Sequence, residues 1–367
     1  MKIAIDARII NTSTGRYIDR LLEYLQQIDT DNEYVVLLRA DDFDRWQPTN
    51  PNFTKAVADY PPYTFREQIQ FAWLLYRLQP DLVHFTGPQQ PLLYFGKKTT
   101  SILDLTLVNF VNKRQEGPLK NFYKHTIKPL VFKVLVRRVI RSSDQLITIT
   151  NFVRQQVVSS YKADPQKVTT TYLAGEPPST KITPIPKLKG KKFILYVGNA
   201  FPYKNLGALI DAFAVAKLKD YQLVLAGKPD FFYGELAEYV QQRDISSVYF
   251  AGFVSDEELA WLYQNAELYV FPSLSEGFGL PGLEAMSYGL PVASSTATCL
   301  PEVYGDAAVY FDPEDINEMA KVIKTTLADK KLLAKLKTAG PKRAGQFNWK
   351  RTAEQTLKVY QQALKSE

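Results

Sequence analysis

At 367 residues the chain exceeds the roughly 250–300 at which a single hydrophobic core stops growing, so two domains are expected. Its 46% hydrophobic and 23% charged residues, with 18 glycines and 22 prolines, describe a globular protein and exclude collagenous, coiled-coil and wholly disordered chains. One cysteine, Cys299, and two histidines exclude an internal disulfide framework, multi-cysteine zinc modules and a histidine-rich metal site, while 45 Lys+Arg against 38 Asp+Glu, net +7, point to an anionic partner.

The first residues, MKIAIDARII, enter an alternating strand at once, without the segments of a signal peptide. No apolar run approaches the roughly 20 residues needed to span a bilayer. A reducing, cytoplasmic location is therefore expected. Short β-branched or aromatic runs then alternate with helical stretches, predicting strands at 2–6, 34–38, 82–85, 100–103, 145–150 and 168–172. A second series follows at 193–197, 222–226, 248–251, 268–271, 291–294 and 308–311. Between them EPPSTKITPIPKLKGKK is proline-rich and lacks apolar periodicity, the composition of a semi-rigid linker. Apolar residues at helical spacing (Trp349, Ala353, Leu357, Tyr360, Leu364) predict a terminal helix.

This order predicts an α/β protein of two doubly wound, Rossmann-like domains facing across a cleft. The expected boundaries are 1–176 for the first domain, 177–190 for the linker, 191–345 for the second domain, and 346–367 for the terminal helix packing back on the first domain. Charge is uneven along this plan. Residues 97–141 carry eleven Lys/Arg against Asp104 and Glu116, so the stretch is +9 and the rest of the chain sums to −2. Within it 119–141 reads as a basic amphipathic helix interrupted near Pro129. Two readings stand: the helix meets an anionic membrane surface, or its apolar residues face the core and its charges are merely solvated.

The most informative segment is FPSLSEGFGLPGLEAMSYGLPVA, 271–293. A strand ends at Phe271, a glycine loop follows, Pro281 suits the first helical turn, and Gly289 and Pro291 stop the helix. The loop from Glu276 to Leu280 thus offers backbone N–H groups at a helix N-terminus, where anions and hydroxyl oxygens are favoured. Glu276 and Glu284, expected in the first turn, bracket that cradle, and a carboxylate accepts two hydroxyls of a vicinal diol. The alternative is that Glu284 only complements the helix dipole while Glu276 is solvated. In YVGNAFPYKNLGALIDAF a strand, Gly198, a loop and a helix place Lys204 just before another N-terminus, an arrangement that suits phosphate. At the first β–α turn Asp6 ends the strand and Gly15 precedes an apolar-periodic helix, without a GxGxxG dinucleotide fingerprint.

Together SEGFGLPGLEAM, YVGNxxPxKNL, LAGK at 225–228, YFAGFVSDEELAWLYQNAELYVFPS and FNWKRTAEQTLKVY resemble the family-4 retaining glycosyltransferases of GT-B fold, a likeness that covers nearly the whole chain. The resemblance implies that Glu284 binds the ribose of a nucleotide sugar, while Glu276 and the N–H groups of Gly277, Phe278, Gly279 and Leu280 hold the hexose. It implies Lys204 on the diphosphate, Gly15 approaching the phosphates, Gly252, Phe253 and Val254 at the base, and Gly227 and Lys228 bordering the pocket.

Two departures stand out. Asn199 follows Gly198 where many members have Arg, which leaves more charge to Lys204 or to Arg16. Leu103 precedes Asp104 where a histidine is usual, so Asp104 covers that role or catalysis is reduced. The implied activity is retaining, metal-independent hexosyl transfer with Glu276, Lys204 and Asp104 catalytic. The donor is a nucleotide sugar, GDP-mannose favoured over UDP-glucose, with no other cofactor. The acceptor is a glycan or lipid-linked molecule of cell-envelope polysaccharide biosynthesis, and the enzyme is cytoplasmic, peripheral at the inner membrane face. The alternative is a non-catalytic partner that keeps the donor pocket, motivated by Leu103. His84, after the third predicted strand, is an acceptor-side candidate or a histidine satisfied locally. Cys299 reads as structural or incidental. The acidic triplets at 29–31 and 42–44 lie in connecting stretches and argue little for a metal-dependent transferase, and no basic-aromatic module marks a nucleic-acid binder.

Overall fold

A computed structural model of the chain describes residues 1–12, 14–105 and 128–365. It divides into two units, one of Met1–Leu173 with Asn348–Glu367 and the other of Ala174–Phe347. The second unit is thus inserted, in chain order, into the first.

The first unit is built on seven parallel strands: β1 (Lys2–Asp6), β2 (Glu33–Leu38), β3 (Phe53–Val57), β4 (Leu82–Phe85), β5 (Lys98–Ile102), β6 (Gln145–Thr148) and β7 (Val168–Thr170). Their order is β3-β2-β1-β4-β5-β6-β7, so the direction of winding reverses between β1 and β4. Central strand β4 is buried throughout, its Leu82, Val83 and Phe85 accompanied by the buried His84. The six-strand expectation for this half is corrected by β3, an edge strand whose Thr54, Lys55 and Ala56 are not buried and whose FTKAV pattern is therefore mixed.

Helix Gly15–Ile28 buries Tyr17, Ile18, Leu21, Leu22 and Leu25. Helix Lys128–Ser142 buries Val136, Val139 and Ile140 but leaves Leu130, Val131 and Val134 exposed, so neither reading of the basic helix describes all of its apolar residues. The remainder of the 119–141 expectation, 119–127, lies outside the described residues. Helix Trp349–Lys365 packs against Gly15–Ile28 and β4 to β6. It buries Trp349, Ala353 and Tyr360 together with Thr352 and Thr356, whereas Leu357 and Leu364 are half-buried.

The second unit has six parallel strands: β8 (Lys192–Val197), β9 (Tyr221–Ala226), β10 (Val248–Gly252), β11 (Leu268–Phe271), β12 (Val292–Ser295) and β13 (Ala308–Phe311). Their order is β10-β9-β8-β11-β12-β13, with the reversal between β8 and β11. In open parallel sheets ligands bind beyond the carboxyl ends of the strands at such a reversal. The two segments singled out for their chemistry leave the sheet there.

Candidate donor site

After β8 the chain turns through Gly198, whose φ of +150° is one that L side chains rarely adopt, into the 3-10 turn Pro202–Lys204 and the helix Leu206–Ala216. Asn205 caps that helix at φ +59°, and its Nδ2 donates to the carbonyls of Pro272 at 3.3 Å and Pro313 at 2.8 Å. The β8 loop is thereby tied to the β11 loop. Across the reversal Lys204 Nζ donates to Glu276 Oε1 at 2.6 Å, the two side chains being 12% and 11% exposed. The ammonium also lies 5.1 Å from the Tyr203 ring centroid and 5.5 Å from that of Phe271. Little of this charge pair is left to water.

Glu276 is held by its backbone. Its N–H donates to Thr298 Oγ1 at 3.0 Å, the same hydroxyl lies 3.0 Å from its carbonyl, and the Cys299 thiol donates to that carbonyl at 3.2 Å. Cys299 is thus a structural residue, and burial pushes its thiol well above the ordinary value. Helix Leu280–Ser287 follows, with Gly279 at φ +87° as its cap. A Cβ on Gly279 would come within 2.5 Å of the Tyr304 hydroxyl, which donates to the Gly279 carbonyl at 2.6 Å. Pro281 sits in the first turn, as expected. Glu284 does not, because the helix starts at Leu280 and its first turn holds no acid. It lies one turn further in, 5% exposed, with Tyr263 donating to its Oε2 at 3.3 Å. The reading of Glu284 as a simple partner of the helix dipole is corrected accordingly, since that effect fades beyond the first turn.

Three strand ends lie side by side next to this loop. Gly198 N–H donates to the Ala226 carbonyl at 3.0 Å, and Gly227 N–H to the Gly252 carbonyl at 2.9 Å. A Cβ at Gly227 would stand 2.0 Å from the Gly198 oxygen, so the close approach requires glycine. Asn199 shapes the loop, accepting from Phe201 N–H at 3.3 Å through Oδ1 and from the Tyr196 hydroxyl at 2.8 Å through its carbonyl. Lys228 and Phe253 are exposed and Val254 is half-buried. The structure therefore gathers Gly198, Asn199, Lys204, Gly227, Lys228, Gly252 to Val254 and the loop from Glu276 to Leu280, with Glu284 behind it, along one sheet edge. Phe278 is buried within that loop, edge-on to Phe347 with centroids 5.7 Å apart.

The other candidates belong to the first unit. Gly15 opens its helix where a Cβ would stand 1.7 Å from the Ile10 oxygen, and Arg16 is exposed in the next position. Asp104 is exposed just past β5, and Leu103 is buried beside it. His84 is not a ligand-facing residue in this structure. It is fully buried, with Nδ1 2.7 Å from the Tyr360 hydroxyl and Nε2 2.8 Å from Ser101 Oγ, which lies 2.8 Å from the Tyr17 hydroxyl. Burial lowers its pKa to about 3, so it is neutral. Asp29 is committed to its turn, accepting from Asn32 Nδ2 at 2.6 Å and from the Tyr34 hydroxyl.

Sequence reasoning passed over Tyr233, Tyr263, Thr298 and Tyr304. Tyr233 donates to the Gly198 carbonyl at 2.8 Å, and together they fix the strand ends, Glu284 and both ends of the glycine loop. No local pattern separates such tyrosines from core aromatics.

Comparison with known proteins bears on this edge. The family described as Glycosyl transferases group 1 matches residues 179–343. The chain carries a glycosyltransferase group 1 domain. That domain contains every site residue assigned to the second unit. The chain is 32% identical over 231 residues to O-antigen chain mannosyltransferase B of Escherichia coli, a match spanning 60% of this chain and 61% of that protein, less than two thirds of its length. Sucrose-phosphate synthase from Thermosynechococcus elongatus superimposes with a TM-score of 0.78 at 19% identity over 100% of both chains. HepE of Anabaena in complex with UDP-glucose does so at 0.74 and 16% identity, over 98% of this chain and 99% of that one. The glycosyltransferase domain and the preceding unit thus have the GT-B fold.

Proposed function

We propose that the chain transfers a hexose, mannose ahead of glucose, from a nucleoside diphosphate sugar to a glycan or lipid-linked acceptor. The donor is GDP-mannose in preference to UDP-glucose, the anomeric configuration is retained, and no metal takes part. The observation that carries this reading is the Lys204–Glu276 pair across the sheet reversal, backed by Glu284 one helix turn beyond the glycine loop. Similarity to a mannosyltransferase supports the sugar, and a fold shared with a protein crystallised with UDP-glucose supports the donor class.

The pair is chemically apt as a stand-in for substrate. An arriving diphosphate offers Lys204 a more highly charged partner than one carboxylate, and Glu276, once released, accepts hydrogen bonds from hydroxyls of the hexose. Glu284 accepts from the ribose. The bond between C1 and the diphosphate oxygen then breaks, its electron pair staying on the phosphate, where Lys204 and the helix N–H groups neutralise the charge. The acceptor oxygen bonds to C1 on the same face and its proton passes to that phosphate oxygen, with Glu276 orienting the sugar and Asp104 the acceptor. Among the described residues no helix is long and apolar enough to cross a membrane. We place the enzyme at the cytoplasmic membrane face as a peripheral protein.

Thermal-shift titration against GDP, UDP and ADP tests the site. At a hundred times Kd the cognate nucleotide stabilises by about 2.7 kcal/mol. Silence towards all three defeats the transferase reading, and donor hydrolysis across a nucleotide-sugar panel then fixes the sugar.

A further inference from the structure

On the first unit, the π turn Glu67–Phe71 continues as helix Ala72–Leu78. Phe65, Ile69, Trp73 and Tyr76 are 86%, 61%, 59% and 47% exposed along it. Spacings of four, four and three keep them on one side, while Phe71, Ala72 and Leu75 face the core. A surface helix ordinarily turns polar residues outward, so an apolar outer stripe requires another explanation. The stripe is also extended. Phe95, 75% exposed, donates its N–H to the Tyr76 hydroxyl at 2.9 Å, and Leu93 accepts from that hydroxyl at 3.1 Å. At the other end Tyr63 meets Phe132 edge-on with centroids 5.7 Å apart, which brings up helix Lys128–Ser142 with its exposed Val131 and Val134.

Charge identifies the occupant. The exposed charged groups of 65–77 are Arg66 and Arg77, the latter stacked 4.6 Å from the Trp73 ring centroid. The only acid of that stretch, Glu67, is turned inward and paired with Arg8 at 2.8 Å. Helix Lys128–Ser142 adds exposed Lys133, Arg137, Arg138 and Arg141 and contains no acid. Aromatic rings bordered by cations suit the interface of a bilayer that carries anionic lipid. A second copy docking through the same face would set these cations against themselves, because a twofold interface joins identical patches.

We propose that this face seats the chain on an anionic bilayer, the aromatic stripe entering the acyl boundary and the cations meeting the headgroups. The inference deepens the proposed function by naming the surface from which a lipid-linked acceptor is drawn, and it rests on that reading only for the acceptor. It differs from attachment through the basic stretch 97–141 because an apolar contribution comes from outside that stretch.

Trp73 is its own reporter, since Trp46, Trp261 and Trp349 are buried. The full chain is titrated with phosphatidylcholine vesicles containing phosphatidylglycerol, following tryptophan emission and flotation. A blue shift is expected, at least about tenfold weaker with phosphatidylcholine alone, with part of the binding persisting in 0.5 M salt because insertion is not screened. Phe65→Ser with Ile69→Ser lowers partitioning by about tenfold or more at unchanged Tm, whereas Trp73→Phe abolishes the shift but keeps flotation. Absence of binding, its complete loss at 0.5 M salt, or a concentration-dependent blue shift with dimerisation in the absence of vesicles overturns the proposal. Donor turnover is measured separately: vesicle binding without turnover defeats the proposed function and leaves this face standing, and turnover without vesicle binding does the reverse.

Discussion

The two sheets reverse direction at comparable places and use those places in opposite ways. In the second unit β8, β9 and β10 end on the glycines Gly198, Gly227 and Gly252, and across the reversal between β8 and β11 Lys204 and Glu276 hold each other in a pair that a ligand can exchange. Between β1 and β4 the edge is sealed. Asp6 and Glu67 both bind the buried Arg8 guanidinium at 2.8 Å, the Thr86 hydroxyl donates to the Asp6 carbonyl at 2.6 Å, and His84 is fully bonded. Topology offers a binding edge in either sheet, but the side chains decide whether it is open or closed. A buried network in which each member has its partner rigidifies an edge and leaves nothing to exchange.

The contrast is broken most directly at Glu276. Glu276→Ala lowers donor turnover by about 10²–10³-fold or more, with the fold retained by circular dichroism, because charge stabilisation and sugar positioning are lost together. Near-normal turnover would show that the open edge is not the reacting one. In the sealed edge the loss falls on stability. His84→Leu costs about 1–3 kcal/mol in denaturant unfolding by stranding the Tyr360 hydroxyl, while Ser101 keeps the Tyr17 hydroxyl as a partner, and nucleotide affinity stays within about twofold. Its pH dependence has a fixed sign. Burial holds the folded value near 3, below the ordinary 6.5, so below pH 6.5 the unfolded chain takes up a proton that the folded chain refuses. The His84 contribution is present above pH 6.5 and falls by about 1.4 kcal/mol per pH unit from there towards 3, a slope that His84→Leu removes. Glu284→Ala weakens nucleotide binding by about 1.5–3 kcal/mol in calorimetry, and unchanged affinity removes it from the site. Gly227→Ala, whose methyl meets the Gly198 oxygen, costs about 1–3 kcal/mol of stability and weakens binding alongside; a neutral result would mean that the strand ends separate freely.

Most of the second unit was legible from local pattern: all six of its strands, the turns after β8 and β11, and Pro281 in the first helical turn. Those features are set within a few residues. What escaped depends on distance or on half-exposed surfaces. The FTKAV strand alternates too weakly to stand apart from a loop, and one residue of uncertainty in a helix start was enough to misplace Glu284 by a turn. His84 was left open between two roles because its decisive partner, Tyr360, is 276 positions away. The aromatic stripe was hidden for another reason: Phe65, Ile69, Trp73 and Tyr76 have helical spacing, and spacing alone does not tell which side of a helix faces the core.

The placement of Asn348–Glu367 with the first unit has a consequence for synthesis. On a ribosome, the glycosyltransferase domain of the second unit is complete in sequence before helix Trp349–Lys365 emerges. The first unit, begun earlier, waits for that helix. Until it docks, His84, Ser101 and Tyr17 lack the cover of Tyr360, and the β4–β6 surface it packs against is open to a chaperone or a protease. Nascent chains stalled before residue 348 should therefore carry a protease-resistant second unit and a protease-sensitive first one.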